Sequence, residues 1–300
     1  MPGQPGAPAP DDTQLTDAAR AGDASAFAQL SERFRRQLHV HAYRMLGSVD
    51  DADDIVQETF LRAWQGLGSF EGRSLFRTWL YRIATNLCLN VLERRPRRFM
   101  PPDVGPPTDD LDPRAQPDVE LPWLQPYPDR LLDAAAPAAE HPEALAISRE
   151  TIELAYLGAI QHLPPRQRAV LVLRDALGWP ARDTAEVLGT SVASVNSALQ
   201  RARATLRARL PERRSDWTRS TDVPADEHRI LTQYIEAAEH GDAASLIALL
   251  REDVRQTMPP LPTWWEGKAT VSAINASFFD DESIGPFRVL PVAANRQPAA

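Results

Sequence analysis

Twelve of the chain's 27 prolines fall between Pro96 and Pro142. Proline has no N–H to donate and pushes the residue before it out of helical geometry, so no long helix or central strand runs through that stretch. It must be a connector between separately folded blocks. A second break falls at Pro211 to Pro224. These breaks predict a disordered N-terminus over 1–12, a helical domain over 13–98, a Pro-rich linker over 99–142 and a second helical domain over 143–211. A short linker over 212–223 and a tail over 224–300 follow. The expected fold class is mainly α, with two small helical domains and a partial α+β unit at the C-terminus. Hydrophobic residues make up 43% and charged residues 25% of the 300, ordinary values for a soluble globular chain. No run approaches the roughly 18–20 apolar residues of a membrane span. The first ten residues have no basic region and no apolar core, so no signal peptide is expected, and a cytoplasmic protein is.

The net charge of −8 argues at first against a nucleic-acid partner. Its distribution reverses that reading. Residues 20–98 carry +4 and residues 160–214 carry +6, while the linker over 99–142 carries −7 and residues 221–300 carry −6. A partner responds to the local field over a Debye length of about 10 Å, not to the sum. The linker also holds Leu121-Pro-Trp-Leu-Gln-Pro-Tyr-Pro-Asp129, whose aromatics a passive spacer does not need.

In the first basic block, residues 14–46 read as helix, interrupted at Gly22-Asp23. Ser48-Val-Asp-Asp51 offers cap oxygens and acids for the next helix start, which runs to about Trp64. Ala52, Ile55, Val56, Thr59, Phe60 and Ala63 recur at helical spacing as its buried stripe. Asp54, Gln57, Glu58, Leu61 and Gln65 fall on the opposite side. That is either a solvated face with one stray leucine or a docking surface for a basic partner. After the loop Phe70 to Ser74, a helix over 75–95 places Phe76, Leu80, Ile83, Ala84, Leu87 and Val91 inside, with Thr78, Arg82, Asn86 and Leu89 facing away and Trp79 and Asn90 at the edges. An aromatic ring beside amides and guanidiniums suits a single-stranded nucleic acid, because rings stack bases, amides read their edges and guanidiniums hold phosphates. The same tryptophan is equally compatible with a core edge.

In the second block, helices over 145–162 and 163–177 precede a short helix, Ala181 to Leu188, a tight Gly189-Thr-Ser191 turn and a longer helix. The last buries Val192, Val195, Leu199, Ala202 and Leu206. Its other faces carry Ser194, Asn196, Ser197, Gln200, Arg201 and Arg203. This is helix-turn-helix patterning, with small polar residues where a helix enters a major groove. Asn and Gln can read adenine there, and Arg can read guanine or hold phosphate.

Asp51-Ala-Asp-Asp-Ile-Val-Gln-Glu-Thr-Phe-Leu-Arg-Ala-Trp64, then Phe70, then Arg77-Thr-Trp-Leu-Tyr-Arg-Ile-Ala-Thr-Asn86 resembles region 2 of the sigma-70 family, and most closely its extracytoplasmic-function (ECF) group. Leu163-Pro-Pro-Arg-Gln-Arg-Ala-Val-Leu-Val-Leu-Arg174, Thr184 to Gly189 and Ser194 to Arg203 resemble region 4. The resemblance implies a sigma factor that binds core RNA polymerase and directs promoter-specific initiation. It assigns docking on the polymerase β′ clamp helices to Asp54, Gln57, Glu58 and Leu61. It assigns recognition and melting of the −10 element to Phe70, Arg73, Trp79, Arg82, Asn86 and Asn90. Reading of the −35 element falls to Ser191, Ser194, Asn196, Ser197, Gln200, Arg201 and Arg203, with region 4 also touching the β flap. The acidic linker sits where the family threads its connector through the polymerase cleft toward the RNA exit path.

The tail reads as helices over 227–240, 243–251 and 269–279, with strands over 254–258 and 287–293 and a loop over 259–267. It is similar to the start of a SnoaL-like domain of the NTF2-like fold, as in a subgroup of ECF factors to which the linker motif also points. Such domains run well over a hundred residues, so the expectation is a truncated chain with an incomplete sheet. Asp253 and Glu266 are the only acid/base candidates there and form no convincing pair, so no catalytic residue is assigned. Control by the tail itself or by an anti-sigma factor is expected instead. His39-x-His41 lacks a third metal ligand, no cofactor is implied, and Cys88, the single cysteine, excludes a disulfide framework and reads as a buried inert thiol. Two alternatives stand: a helix-turn-helix regulator acting without polymerase, and an enzyme in the tail with a regulatory DNA-binding module.

Overall fold

The computed structural model describes residues 11–70, 72, 74–95, 97–110, 117–133, 152–210, 225–279 and 287–300. It is mainly helical and separates into two compact units.

The first unit comprises Met1–Arg95, Ala139–Ala144 and Pro164–Ala204. Helix α1 (Asp12–Arg20) starts at a capping box: Asp11 Oδ1 accepts from the Gln14 N–H at 2.7 Å, and the Gln14 side chain accepts from the Asp11 N–H at 3.2 Å. Helix α1 thus starts at residue 12, the last position of the N-terminal segment. The break at Gly22-Asp23 is real, with Gly22 at φ +99° and Asp23 capping α2 (Ala24–Leu46). Gly47, at φ +70°, ends α2 in the left-handed conformation. Ser48 then caps α3 (Val49–Gly66) by accepting from the Asp51 N–H at 3.2 Å. The residues α3 buries are the six that the periodicity selects. Helix α4 (Phe76–Arg94) differs from expectation. It buries Tyr81, Thr85, Cys88 and Leu89 besides its apolar stripe, because α7 (Pro165–Leu171) and α8 (Ala181–Leu188) lie against it. Leu89, expected on the outer side, is therefore inside.

Two titratable groups record how dry this core is. Burial pushes the Cys88 thiol up, away from its reactive form. Burial, with the Arg44 cation second, lowers His41 to about 3. His41 stays neutral and shares a 2.9 Å hydrogen bond with the Thr85 hydroxyl. The unfolded chain takes up that proton below its ordinary value of 6.5 while the folded chain does not, so acid favours unfolding. Stability is expected to fall by about 2 kcal/mol from this group between pH 7 and pH 5. Urea titrations at the two pH values should show the drop in the wild type and lose it in His41→Gln.

The second unit comprises Pro96–Ala138, Leu145–Leu163 and Thr205–Ala300. It contains the described linker with α5 (Asp129–Asp133), then α6 (Leu154–Gln161), α10 (Ala225–Glu239), α11 (Ala243–Leu249) and α12 (Lys268–Phe279). The first part of the helix expected over 145–162, and the linker over 212–223, lie outside the described residues apart from Ile152 onward. Strand β1 (Arg255–Thr257) pairs antiparallel with β2 (Trp264–Glu266), which lies inside the segment read as a loop. Strand β3 (Val292–Ala294) pairs antiparallel with β4 (Gln297–Ala299).

The linker is not a passive spacer. The Trp264 and Trp265 indoles donate to the Gly105 and Asp110 carbonyls at 2.8 and 2.9 Å. The N–H groups of Thr108 and Asp118 donate to the carbonyls of Trp264 and Pro260, both at 2.9 Å. The β3–β4 turn is Asn295-Arg296, with φ +56° and +58°, the two-residue left-handed turn that suits hairpin twist. Asn295 is fully buried and makes three hydrogen bonds to main-chain atoms, two of them to Tyr127 of the linker. Its backbone N–H donates to the Tyr127 carbonyl at 2.9 Å, its Oδ1 accepts from the Tyr127 N–H at 2.8 Å, and its Nδ2 donates to the Ile152 carbonyl at 2.6 Å. Arg296 N–H donates to Asp129 Oδ1 at 2.9 Å.

Candidate nucleic-acid interface

The outer side of α4 carries Arg82, Asn86 and Asn90, all exposed on successive turns of one face. Beside them, the half-buried Trp79 ring stacks on Phe70 at 4.9 Å with 29° between planes. Gly66 leaves room for that ring: a Cβ there would lie 3.3 Å from Trp79 Cζ2. Phe70 is only 8% exposed and also meets Phe76 edge-on, so it is the floor under Trp79 and not itself a surface contact. Arg73 lies outside the described residues. Leu75, 76% exposed at the start of α4, was not singled out by its sequence, because a leucine beside a helix start has no periodic signature. A cavity of about 480 Å³ opens next to this stack, between α1, Phe34 and Ser74 to Arg77.

The outer side of α3 exposes Asp54, Gln57 and Leu61, and Glu58 is partly exposed and bound to Arg62 at 2.7 Å. Trp64 extends this face. It is 42% exposed against 51% for Leu61, and its ring packs 5.0 Å from Phe27. Its spacing of three from Leu61 was the available signal.

The turn into α9 (Val192–Arg209) is built from Gly189, at φ +59°, and Ser191. Ser191 Oγ accepts from the Ser194 N–H at 3.1 Å, capping the helix, and donates to Ser194 Oγ at 3.0 Å. Val195, Leu199 and Ala202 are buried, whereas Val192, expected inside, is 43% exposed. Asn196, Ser197, Gln200 and Arg201 are exposed together on one face. Arg203 is held elsewhere. It makes a bidentate bridge to Asp175 at 2.9 and 2.6 Å, which raises its pKa and braces α9 against the turn Val172–Ala176.

Among the described residues there is no group of three or more His, Cys, Asp or Glu that could hold a metal, and no helix long and apolar enough to cross a membrane. His39 instead lies 3.2 Å from Asp53, its pKa lowered by burial against that carboxylate's opposing pull.

Comparison with known proteins agrees with this geometry. Residues 30–98 match the family "Sigma-70 region 2" and residues 153–206 match "Sigma-70, region 4". The chain is 42% identical over 281 residues to the ECF RNA polymerase sigma factor SigG of Mycobacterium tuberculosis, covering 94% of this chain and 73% of SigG. It is 35% identical over 195 residues to SigM of the same species, covering 65% of this chain and 82% of SigM. The crystal structure of the M. tuberculosis ECF sigma factor SigJ superimposes with a TM-score of 0.53 at 23% identity, covering 89% of this chain and 81% of that one, which supports the fold. With both region matches and a relative at this identity and coverage, the chain belongs to the ECF group of the sigma-70 family, the sigma factors that direct RNA polymerase in transcription initiation.

Proposed function

We propose that the three exposed faces divide the work of initiation. The α3 face, Asp54, Gln57, Glu58 and Leu61, docks on the clamp helices of core RNA polymerase, and region 4 meets the β flap. Trp79, Arg82, Asn86 and Asn90 hold the melted −10 strand, with Phe70 supporting Trp79 from below and Arg73 assigned by position. Asn196, Ser197, Gln200 and Arg201 read the −35 element, while Ser191, Ser194 and Arg203 shape and brace the helix that does so. The observation that carries this reading is the stack of Trp79 on Phe70 beside the exposed Arg82–Asn86–Asn90 stripe. It supplies a ring for a base, amides for its edge and a guanidinium for phosphate on one rigid helix.

Run-off transcription and footprinting with and without core polymerase test it. Promoter-dependent transcripts with core enzyme are the expected result. A −35 footprint of equal strength without core would favour a regulator acting alone. Gln200→Ala and Arg201→Ala should each cost about 1–3 kcal/mol of −35 recognition. Run-off yield should fall while affinity for core stays unchanged, and loss of core binding would refute the assigned role.

The tail, read as SnoaL-like, is assigned to regulation rather than catalysis. Its two acid/base candidates are exposed and engaged: Asp253 with Arg251 at 2.9 Å and Glu266 with Arg255 at 2.7 Å. Its hydrogen bonds to the linker support control from within the chain, with an anti-sigma factor as a further regulator. The site of action is the cytoplasm, where polymerase and promoter DNA meet.

A further inference from the structure

In the second unit, two arginines distant in sequence converge on one histidine. Arg97 stands at the start of the linker, His162 is the C-cap of α6, and Arg209 is the last residue of α9. Arg97 Nη1 lies 2.8 Å and Arg209 Nη1 3.4 Å from His162 Nε2, and Arg97 also meets Nδ1 of the same ring. One carboxylate stands among them. Asp103 Oδ1 lies 2.9 Å from His162 Nε2 and 3.5 Å from Arg97 Nη1, and Asp103 Oδ2 accepts from the Met100 N–H at 3.0 Å.

The cluster holds more donors than acceptors. With its proton on Nε2, the imidazole donates to Asp103 and accepts from Arg97 at Nδ1, and Arg209 is left facing an N–H. With the proton on Nδ1, the single lone pair of Nε2 serves one guanidinium only, and Asp103 loses its donor. Among the described residues, Nη1 carries every hydrogen bond that Arg97 makes. The two guanidiniums also outweigh the carboxylate by one positive charge. Burial, with the Arg97 cation second, holds His162 below its ordinary value of 6.5; Asp103 opposes this and Arg209 adds to it. A cation in the last turn of α9 suits the helix dipole, but the dipole gives no reason to aim it at a second guanidinium. A negative group that accepts from both does.

The shape of the cluster selects the anion. Arg97 lies flat over the Phe99 ring, 5.0 Å from its centroid, which fixes the guanidinium plane and leaves its edge for a ligand. Arg209 arrives from a different element. A carboxylate has two oxygens in one plane, whereas a phosphate points its oxygens in tetrahedral directions and can meet both guanidiniums and the imidazole together. The surroundings select a small molecule over a nucleic acid. Arg209 is nine residues beyond Gln200, a rotation of about 180° at roughly 100° per residue, so it lies across the helix from that side chain. The segments 99–142 and 221–300 that make up most of this unit carry −7 and −6. An extended polyanion would meet those acids, and a single phosphate compound would not.

We propose that Arg97, His162 and Arg209 form a binding site for the phosphate of a free phosphorylated small molecule, and that the bound phosphate fastens the start of the linker to the last turn of α9. The site stands apart from the promoter-reading faces and does not depend on their assignment.

Calorimetric titration of the full chain with pyrophosphate, at constant ionic strength, tests it. One saturable site per chain is expected. Arg97→Gln and Arg209→Gln should each weaken binding about tenfold, the size of a lost charge-assisted hydrogen bond. Arg209 is exposed, so its variant reports on the site even if Arg97→Gln fails to fold. Asp103→Asn should tighten binding, because the amide oxygen still accepts from the Met100 N–H while the competing negative charge is gone. Proton NMR of the His162 ring, assigned by its loss in His162→Gln, gives a second readout: pyrophosphate should raise the pKa of the ring, since a bound anion favours its charged form. Absence of saturable binding overturns the proposal, as does binding that both arginine variants leave unchanged. Equal competition by acetate would make this a carboxylate site and overturn it too. Binding of promoter-free duplex DNA that needs both arginines, with none of pyrophosphate, would overturn it in favour of a nucleic-acid backbone.

Discussion

Leu61→Glu is expected to lower affinity for core RNA polymerase by about a hundredfold, or ~3 kcal/mol, while leaving thermal stability almost unchanged. The asymmetry follows from where the side chain sits. Leu61 is 51% exposed, so the folded chain gains little from its apolar surface and a carboxylate there stays hydrated. In a complex the same position would be enclosed, with Trp64 on one side and the acidic residues Asp54 and Glu58 along the helix. A glutamate would then be desolvated beside charges of its own sign. Titration of labelled core enzyme measures the affinity, with melting curves as the control for folding. Equal affinity for wild type and variant would remove this face from the docking surface.

Asn295→Ala is expected to destabilise the second unit by about 2–4 kcal/mol and to loosen the linker. The substitution leaves the Tyr127 N–H and the Ile152 carbonyl buried without their partner, and each such group costs about 1–3 kcal/mol. Alanine also tolerates φ +56° poorly, so part of the loss would come from the turn. Asn295→Gly separates the two contributions, because glycine keeps the turn and still removes the side chain. Hydrogen exchange over residues 117–133 is the direct measurement. Faster exchange there in both variants is expected. Full protection in Asn295→Gly would show that the turn, not the side chain, holds the linker.

The parts of the molecule that local chemistry determines were readable in the sequence. Ser48 caps α3 because a hydroxyl at a helix start has an N–H to satisfy, and the buried stripe of α3 follows from rotation alone. The polar stripe of α4 and the exposed quartet on α9 follow in the same way. What could not be read depends on contacts distant in sequence. Tyr81, Thr85 and Cys88 are buried because α7 and α8, some eighty residues on, cover them. Phe70 is buried because Trp79 lies over it, although its place in a loop suggests a surface role. Arg203 looks like a base reader by position and is drawn away by Asp175, a partner on another element. The β3–β4 hairpin was read as a single strand because Asn-Arg lacks the glycine that usually marks such a turn.

The linker's proline content pointed to a connector between folded blocks, and its attachment to the tail has an evolutionary consequence. The indoles of Trp264 and Trp265 find carbonyl oxygens, and Asn295 finds main-chain atoms of Tyr127 and Ile152. Main-chain atoms are the same whatever side chain stands beside them. The tail thus recognises the path of the linker and is almost blind to its composition. Acidic residues along that path other than Asp109 and Asp129, whose carboxylates accept from Thr270 and the Arg296 N–H, can drift under other demands, and the main-chain attachment survives. Proline alone is barred where a donated N–H is needed, at positions 108, 118 and 127. A segment with prolines all around those three sites keeps them clear at each one.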